Sequence, residues 1–145
     1  MSHLSRVMDW IATYEGYDIL SYFRVDYTDQ IPNNGGIFPS GLTEVSRRQD
    51  ILGNVTVVNQ ENFGIYIVFD KAPEDTVAAA DNQEWVSDFQ QWVQDQSIQG
   101  LAPTFGDVPH TERITASNGA LYAATDEGTA TYMIQLSIQY TKRYE

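Results

Sequence analysis

Apolar residues recur along this chain with two different periods. Leu4, Val7, Met8 and Ile11 fall at i, i+3, i+4 and i+7, a spacing that lines one side of a helix. With Ser2 as N-cap and Gly16 as stop, the pattern predicts a helix over about residues 3–15. Trp85, Phe89, Trp92, Val93 and Gln96 make a second stripe. Asp81-Asn82-Gln83-Glu84 before it fits a capping box, which predicts a helix over about residues 82–97. Its aromatic stripe is expected to pack on a sheet, with base stacking as the alternative use of such rings.

Elsewhere the period is two. From Tyr22 to Tyr27, Phe23, Val25 and Tyr27 alternate with Tyr22, Arg24 and Asp26, as in a strand with one wet face. Leu42 to Ile51 is a weaker strand, followed by a turn or bulge at Gly53-Asn54. Val55 to Val58 and Ile65 to Phe69 are the most β-prone stretches. Asn59 to Gly64 is either a turn between them or an interruption in one long strand. Arg113 to Ser117 and Ala120 to Ala124 read as short strands about an Asn118-Gly119 turn. The last strand is the clearest. Tyr132, Ile134, Leu136, Ile138 and Tyr140 share one face, and Thr131, Met133, Gln135, Ser137 and Gln139 the other. Such a strand is central in its sheet or meets a partner at an edge.

Two stretches carry loop signals: Asp29 to Gly41, with Pro32, Asn33, Asn34, Gly35, Gly36, Pro39 and Gly41, and Gly100 to Pro109. Asp126-Glu127-Gly128 is a further turn. The order of elements predicts an α+β fold, a mostly antiparallel sheet with two main helices packed on one face. No repeat or linker divides residues 1–145, so a single domain is expected.

Composition narrows the function. Hydrophobic residues are 42% of the chain, enough to build a core. No apolar run approaches the ~20 residues of a membrane helix, and Met1 to Leu4 do not begin a signal peptide. The absence of cysteine excludes disulfides and thiolate metal sites and fits cytoplasmic synthesis. The net charge is −12, from 20 acids and 8 bases, so nucleic acid would be repelled except at a local basic patch. Seven acids (Asp70, Glu74, Asp75, Asp81, Glu84, Asp88 and Asp95) crowd one stretch that holds only Lys71 as a base. Arg47-Arg48 and Lys142-Arg143 are the adjacent basic pairs.

Catalytic signals are few. His3 and His110 have no second ligand at metal spacing. Neither a Gly-x-Ser-x-Gly elbow nor a phosphate-binding glycine loop occurs. The carboxylate pairs Asp26/Asp29 and Asp126/Glu127 read as exposed turn groups, and a calcium loop's spacing is missing. A non-enzymatic protein without cofactor or metal is the expectation.

The segments Asn82 to Gln96, Gly100-Leu101-Ala102-Pro103, Ile114 to Gly119 and Ala124 to Gln135 resemble a family of small proteins encoded among the head–tail genes of tailed bacteriophages. These are similar to tail terminator or minor capsid proteins. The first half agrees in plan, and the motifs involved are structural. The resemblance implies a tail-terminator-like subunit that forms a hexameric ring. The ring would cap the tail tube protein, present a surface to the head connector or neck protein, and let DNA pass without specific binding. The location implied is the virion tail or neck. On that reading Asp81, Glu84, Asp88 and Asp95 are candidate bore-lining acids, with a solvated helix face as the plain alternative. Candidate interface residues are Arg47, Arg48, Asn34, Gly35, Gly36, Gln135, Ser137 and Gln139. The segment Met133 to Tyr140 would offer strand-pairing groups and the two loops would reach neighbours. The competing readings are a head–tail connector or minor capsid subunit, a small-ligand module with a closed apolar pocket between helix 82–97 and the sheet, and an enzyme with a polar cleft.

Overall fold

A computed structural model describes residues 2–20, 22–25, 34–70, 76–106, 112–124 and 129–144. Helix α1 spans His3–Ile11, and the Ser2 hydroxyl caps it by accepting from the Ser5 amide at 3.1 Å. The helix stops earlier than its apolar spacing predicts. Thr13 turns its hydroxyl (2.6 Å) and its amide (3.0 Å) onto the Trp10 carbonyl, which tightens the chain. A 3-10 helix over Glu15–Ile19 follows. Gly16 lies within it, and a Cβ there would stand 2.6 Å from Tyr14 Cε2 and 2.8 Å from Trp85 Nε1. That bare position lets the Trp85 indole N–H donate to the Gly16 carbonyl at 3.0 Å.

The strands are β1 (Tyr22–Val25), β2 (Asn34–Gln49), β3 (Val55–Asp70), β4 (Arg113–Ala124) and β5 (Thr129–Tyr144). Helix α2 spans Thr76–Ile98, between β3 and β4. The sheet order is β1-β2-β3-β5-β4. β2, β3, β5 and β4 are mutually antiparallel, and β1 joins parallel to β2 over Tyr22–Val25 and Asn34–Ile37. The protein is thus an α+β fold with a mainly antiparallel sheet.

Several expectations change. Residues 34–41 are strand. Asn34, Gly35 and Gly36 sit buried between β1 and β3. The glycines there serve close packing, since a Cβ on Gly35 would meet Ile67 Cδ1 at 3.0 Å and the Tyr66 carbonyl at 3.2 Å. β3 is one unbroken strand through Asn59 to Gly64. β4 is also one strand, and Asn118-Gly119 forms a bulge in it, with Asn118 at φ 56°. α2 begins before Asp81, so the expected capping box lies inside the helix. The Val77-Ala78-Ala79-Ala80 run ahead of it is rich in alanine, which carries the helix back to Thr76. Tyr27, the rest of the first loop up to residue 33, residues 107–111 with His110, the acid pairs Asp26/Asp29 and Asp126/Glu127, and Lys71 to Asp75 lie outside the described residues.

Both helices cover one face of the sheet. Val7, Trp10 and Ile11 of α1 and Val86, Phe89 and Val93 of α2 join Phe63, Ile65, Ile67 and Phe69 of β3 and Tyr132 to Tyr140 of β5 in one core. The aromatic stripe of α2 packs as core: Trp85 stacks on Phe89, and Trp92 stacks on Trp10 at 4.6 Å between centroids. The two helices are also tied by Trp10 Nε1, which donates to Gln96 Oε1 at 3.0 Å. No described helix is long and apolar enough to cross a membrane.

Candidate interaction surfaces

Side chains on α2 three, four and seven residues apart share a side of the helix. Asp81, Glu84, Asp88 and Asp95 obey that spacing, and all four are exposed on the side turned away from Val86, Phe89 and Val93. The charge of one of them, Asp88, reaches the helix interface. The Tyr14 phenol is pushed above its ordinary pKa, first by burial and then by the nearby Asp88 and Glu15 carboxylates. The four acids therefore form a continuous stripe along the helix layer.

A second surface is built from β2 and β3. β1 ends at its pairing with Ile37, and among the described residues no other strand pairs with β2 on that side. Pro39 to Gly53 are exposed throughout. The outer part of the β2–β3 hairpin, with the end of β5 beside it, forms an arm that extends beyond the helices. Leu42, Val45, Ile51, Leu52 and Tyr144 are exposed there, Ile51 completely and Leu52 at 82%. The Asp50 carboxylate shapes the tip, accepting from the amides of Leu52 and Asn54 at 2.9 Å each. These bonds hold its pKa below the ordinary value, the Asn54 amide foremost.

The arm carries half of the bases. Pairing aligns Arg47 with Val57 and Val57 with Lys142, and the next row aligns Arg48 with Thr56 and Thr56 with Arg143. Two sequence-distant basic pairs thus become neighbouring rows at one end of the sheet, Arg47 and Lys142 on one face and Arg48 and Arg143 on the other. Arg47 also bonds Glu44 of its own strand. A bulge between Glu44 and Ser46 puts these two on one face. On the side facing the helix layer, Leu42, Val55, Val57, Asn59 and Tyr144 line a shallow depression of about 440 Å³ beside Arg47.

The edge of β4 and that of β2 beyond β1 are protected differently. On β4, the Gln83 and Gln90 amides donate to the carbonyls of Gly119 (3.2 Å) and Ala116 (3.1 Å), and the Ile114 amide donates to Ser97 Oγ at 3.2 Å. These three α2 residues are spaced by seven, so one row of the helix closes the edge strand. On β2 the edge is left open but carries Pro39, two bulges, and the charges of Glu44, Arg47 and Arg48. Such features discourage unselective strand pairing.

β5 is flanked by β3 and β4 along its length, so Met133 to Tyr140 cannot supply strand-pairing groups to a neighbour. Gln135, Ser137 and Gln139 face away from the helices, as their alternation predicts. Their side chains form a cross-strand ladder: Asn118 donates to Gln135 at 2.7 Å, Ser137 to Asn62 at 2.9 Å, and Gln139 to Gln60 at 3.0 Å. Asn34, Gly35 and Gly36 are buried within the chain and are not a surface loop. Arg47 and Arg48 remain exposed. The expected reaching loop at Gly100 is held to its own chain through Gly106. Arg6 donates to the Thr104 carbonyl at 2.6 Å, and the buried Glu112 carboxylate accepts from the Phe105 and Gly106 amides.

A group that sequence spacing could not show surrounds His3. Its ring stacks on Phe105 at 4.1 Å, and Nδ1 lies 2.6 Å from Glu61 Oε1. The Tyr140 hydroxyl donates to the same oxygen at 3.1 Å. Burial, then the Glu61 charge and its hydrogen bond, push the Tyr140 pKa up to about 12. This cluster pins the start of α1 to the sheet. Among the described residues no group of three or more His, Asp or Glu side chains is placed to hold a metal ion. The space between α2 and the sheet is filled by Phe89 and its neighbours, and the groove of about 470 Å³ beside β4 is open and lined by Gln90, Gln94, Ser97 and Arg113.

No protein-family model matches the chain, and no curated protein matches it in sequence.

Proposed function

We propose that this protein is a non-enzymatic assembly subunit of a tailed bacteriophage, a tail-terminator-like component of a ring at the tail or neck of the virion. The observation that carries the reading is the arm, a three-stranded extension with exposed apolar side chains and, among the described residues, little of its own chain to cover them. Surfaces of this kind mark protein contacts. A heterologous contact that closes on itself gives a ring, and a chain of net charge −12 does not hold passing DNA. The exposed acids of α2 are suited either to a bore or to a contact with a neighbour. The partners of the ring would be the tail tube protein and the head connector or neck protein, with a head–tail connector or minor capsid subunit as the nearest variant. Negative-stain images of concentrated protein test this reading: closed rings of about six subunits support it, and particles of single-subunit size alone refute it.

A further inference from the structure

We infer that the subunit contact is head to tail, with the basic end of one copy's β2–β3 arm seated on the acidic α2 stripe of a second copy. This rests on the assembly reading and names its two surfaces. Three observations lead to it. First, four of the eight bases gather at one end of the sheet, Arg47 and Lys142 on the face that carries Val57 and Arg48 and Arg143 on the opposite face, while Asp81, Glu84, Asp88 and Asp95 line the helix layer. Two copies of charge −12 repel in most orientations. Bringing the arm of one to α2 of the other is the approach that pairs opposite signs.

Second, two of the edges through which copies could pair their sheets are guarded. Gln83, Gln90 and Ser97 seal β4, and the β2 edge carries Pro39, bulges and charge. The arm therefore offers its face rather than its edge. Third, that face is the continuation of the side on which helices pack elsewhere in the fold. Val57 and Asn59 lie in line with the core residues Phe63 and Ile65 of β3, but α1 reaches only as far as Glu61, through His3. A helix from a second copy extends the existing helix-on-sheet layer over the exposed Leu42 and Tyr144, on either side of Val57, which is already buried. On this account the α2 acids meet a neighbour's bases and do not line a bore.

The test uses two full-length variants, R47E/K142E on the arm and E84K/D88K on the helix. Arg47, Glu84 and Asp88 are exposed and Lys142 is half-buried, and circular dichroism checks that each variant is folded. Association is measured by sedimentation at low and at high salt. The expected result is that each variant alone raises the dissociation constant about tenfold or more, and that high salt weakens the wild type. Mixing the two variants restores assembly, because each altered surface then finds a complementary one. If the wild type associates and neither variant changes it, the docking geometry is overturned and the assembly reading stands. If the wild type is a monomer at every concentration and salt, both fall.

Discussion

Replacing Ser97 with alanine removes the acceptor that the Ile114 amide uses at the edge of β4. A partly buried N–H left without a partner costs about 1–3 kcal/mol. Alanine returns about 0.5 kcal/mol, because it is the better helix former within α2. The groove beside β4 is open, so water reaches part of the freed amide and the lower half of the range applies. The net loss is about 1 kcal/mol. With a denaturant slope of about 2 kcal/mol/M, the urea midpoint falls by roughly 0.5 M. The local signature is faster hydrogen exchange at the Ile114 amide. Ser97→Thr keeps the hydroxyl and should retain most of the wild-type midpoint. An unchanged or raised midpoint for Ser97→Ala, with Ile114 exchanging no faster, would refute the idea that α2 side chains seal this edge.

Other expectations follow from the same geometry. Phe89 is buried between Trp85, Trp92 and Tyr14, so Phe89→Ala should cost about 3–5 kcal/mol in urea unfolding. The Tyr140 pKa of about 12 stands above the unfolded value of 10.0. Its contribution is complete below pH 10 and is lost as pH rises from there through the folded pKa, so alkaline unfolding should be less steep in Tyr140→Phe, and a tyrosinate absorbance titration reads the late ionisation directly. Asp50 is the opposite case. Its folded pKa lies below 3.8, so the arm tip keeps this contribution above that pH and loses it as pH falls through the lowered value. A fall in the exchange protection factor of the Asn54 amide on acidification reports the loss, and Asp50→Ala should show low protection there at every pH.

The long periodic stripes were legible. Val7 and Ile11, Phe89 and Val93, and the inward side chains of β5 are buried as their spacing requires. Composition misled where tertiary pairing decides. Gly35, Gly36 and Pro39 look like a loop locally, yet they form a strand because β1 and β3 take up its backbone groups and pack closely against Gly35. Asn59 to Gly64 reads as a turn or an interruption in one long strand, but polar side chains there have partners that carry the strand through: Gln139 for Gln60, Ser137 for Asn62, and His3 and Tyr140 for Glu61. The Asn118-Gly119 turn signal was answered by a bulge, which uses the same left-handed conformation without reversing the chain. Of the candidate site residues, the α2 acids and Arg47 and Arg48 were legible as surface charge. That Arg47 and Arg48 stand beside Lys142 and Arg143 depends on strand pairing across almost 100 residues, which no local pattern carries.

The most direct test of self-assembly is the mass of the purified protein across a concentration series, by light scattering after size exclusion. The account predicts a mass that climbs from the 16.4 kDa chain to a closed oligomer as concentration rises, with the step moving to higher concentration in high salt. A mass that stays at one chain under every condition would contradict it.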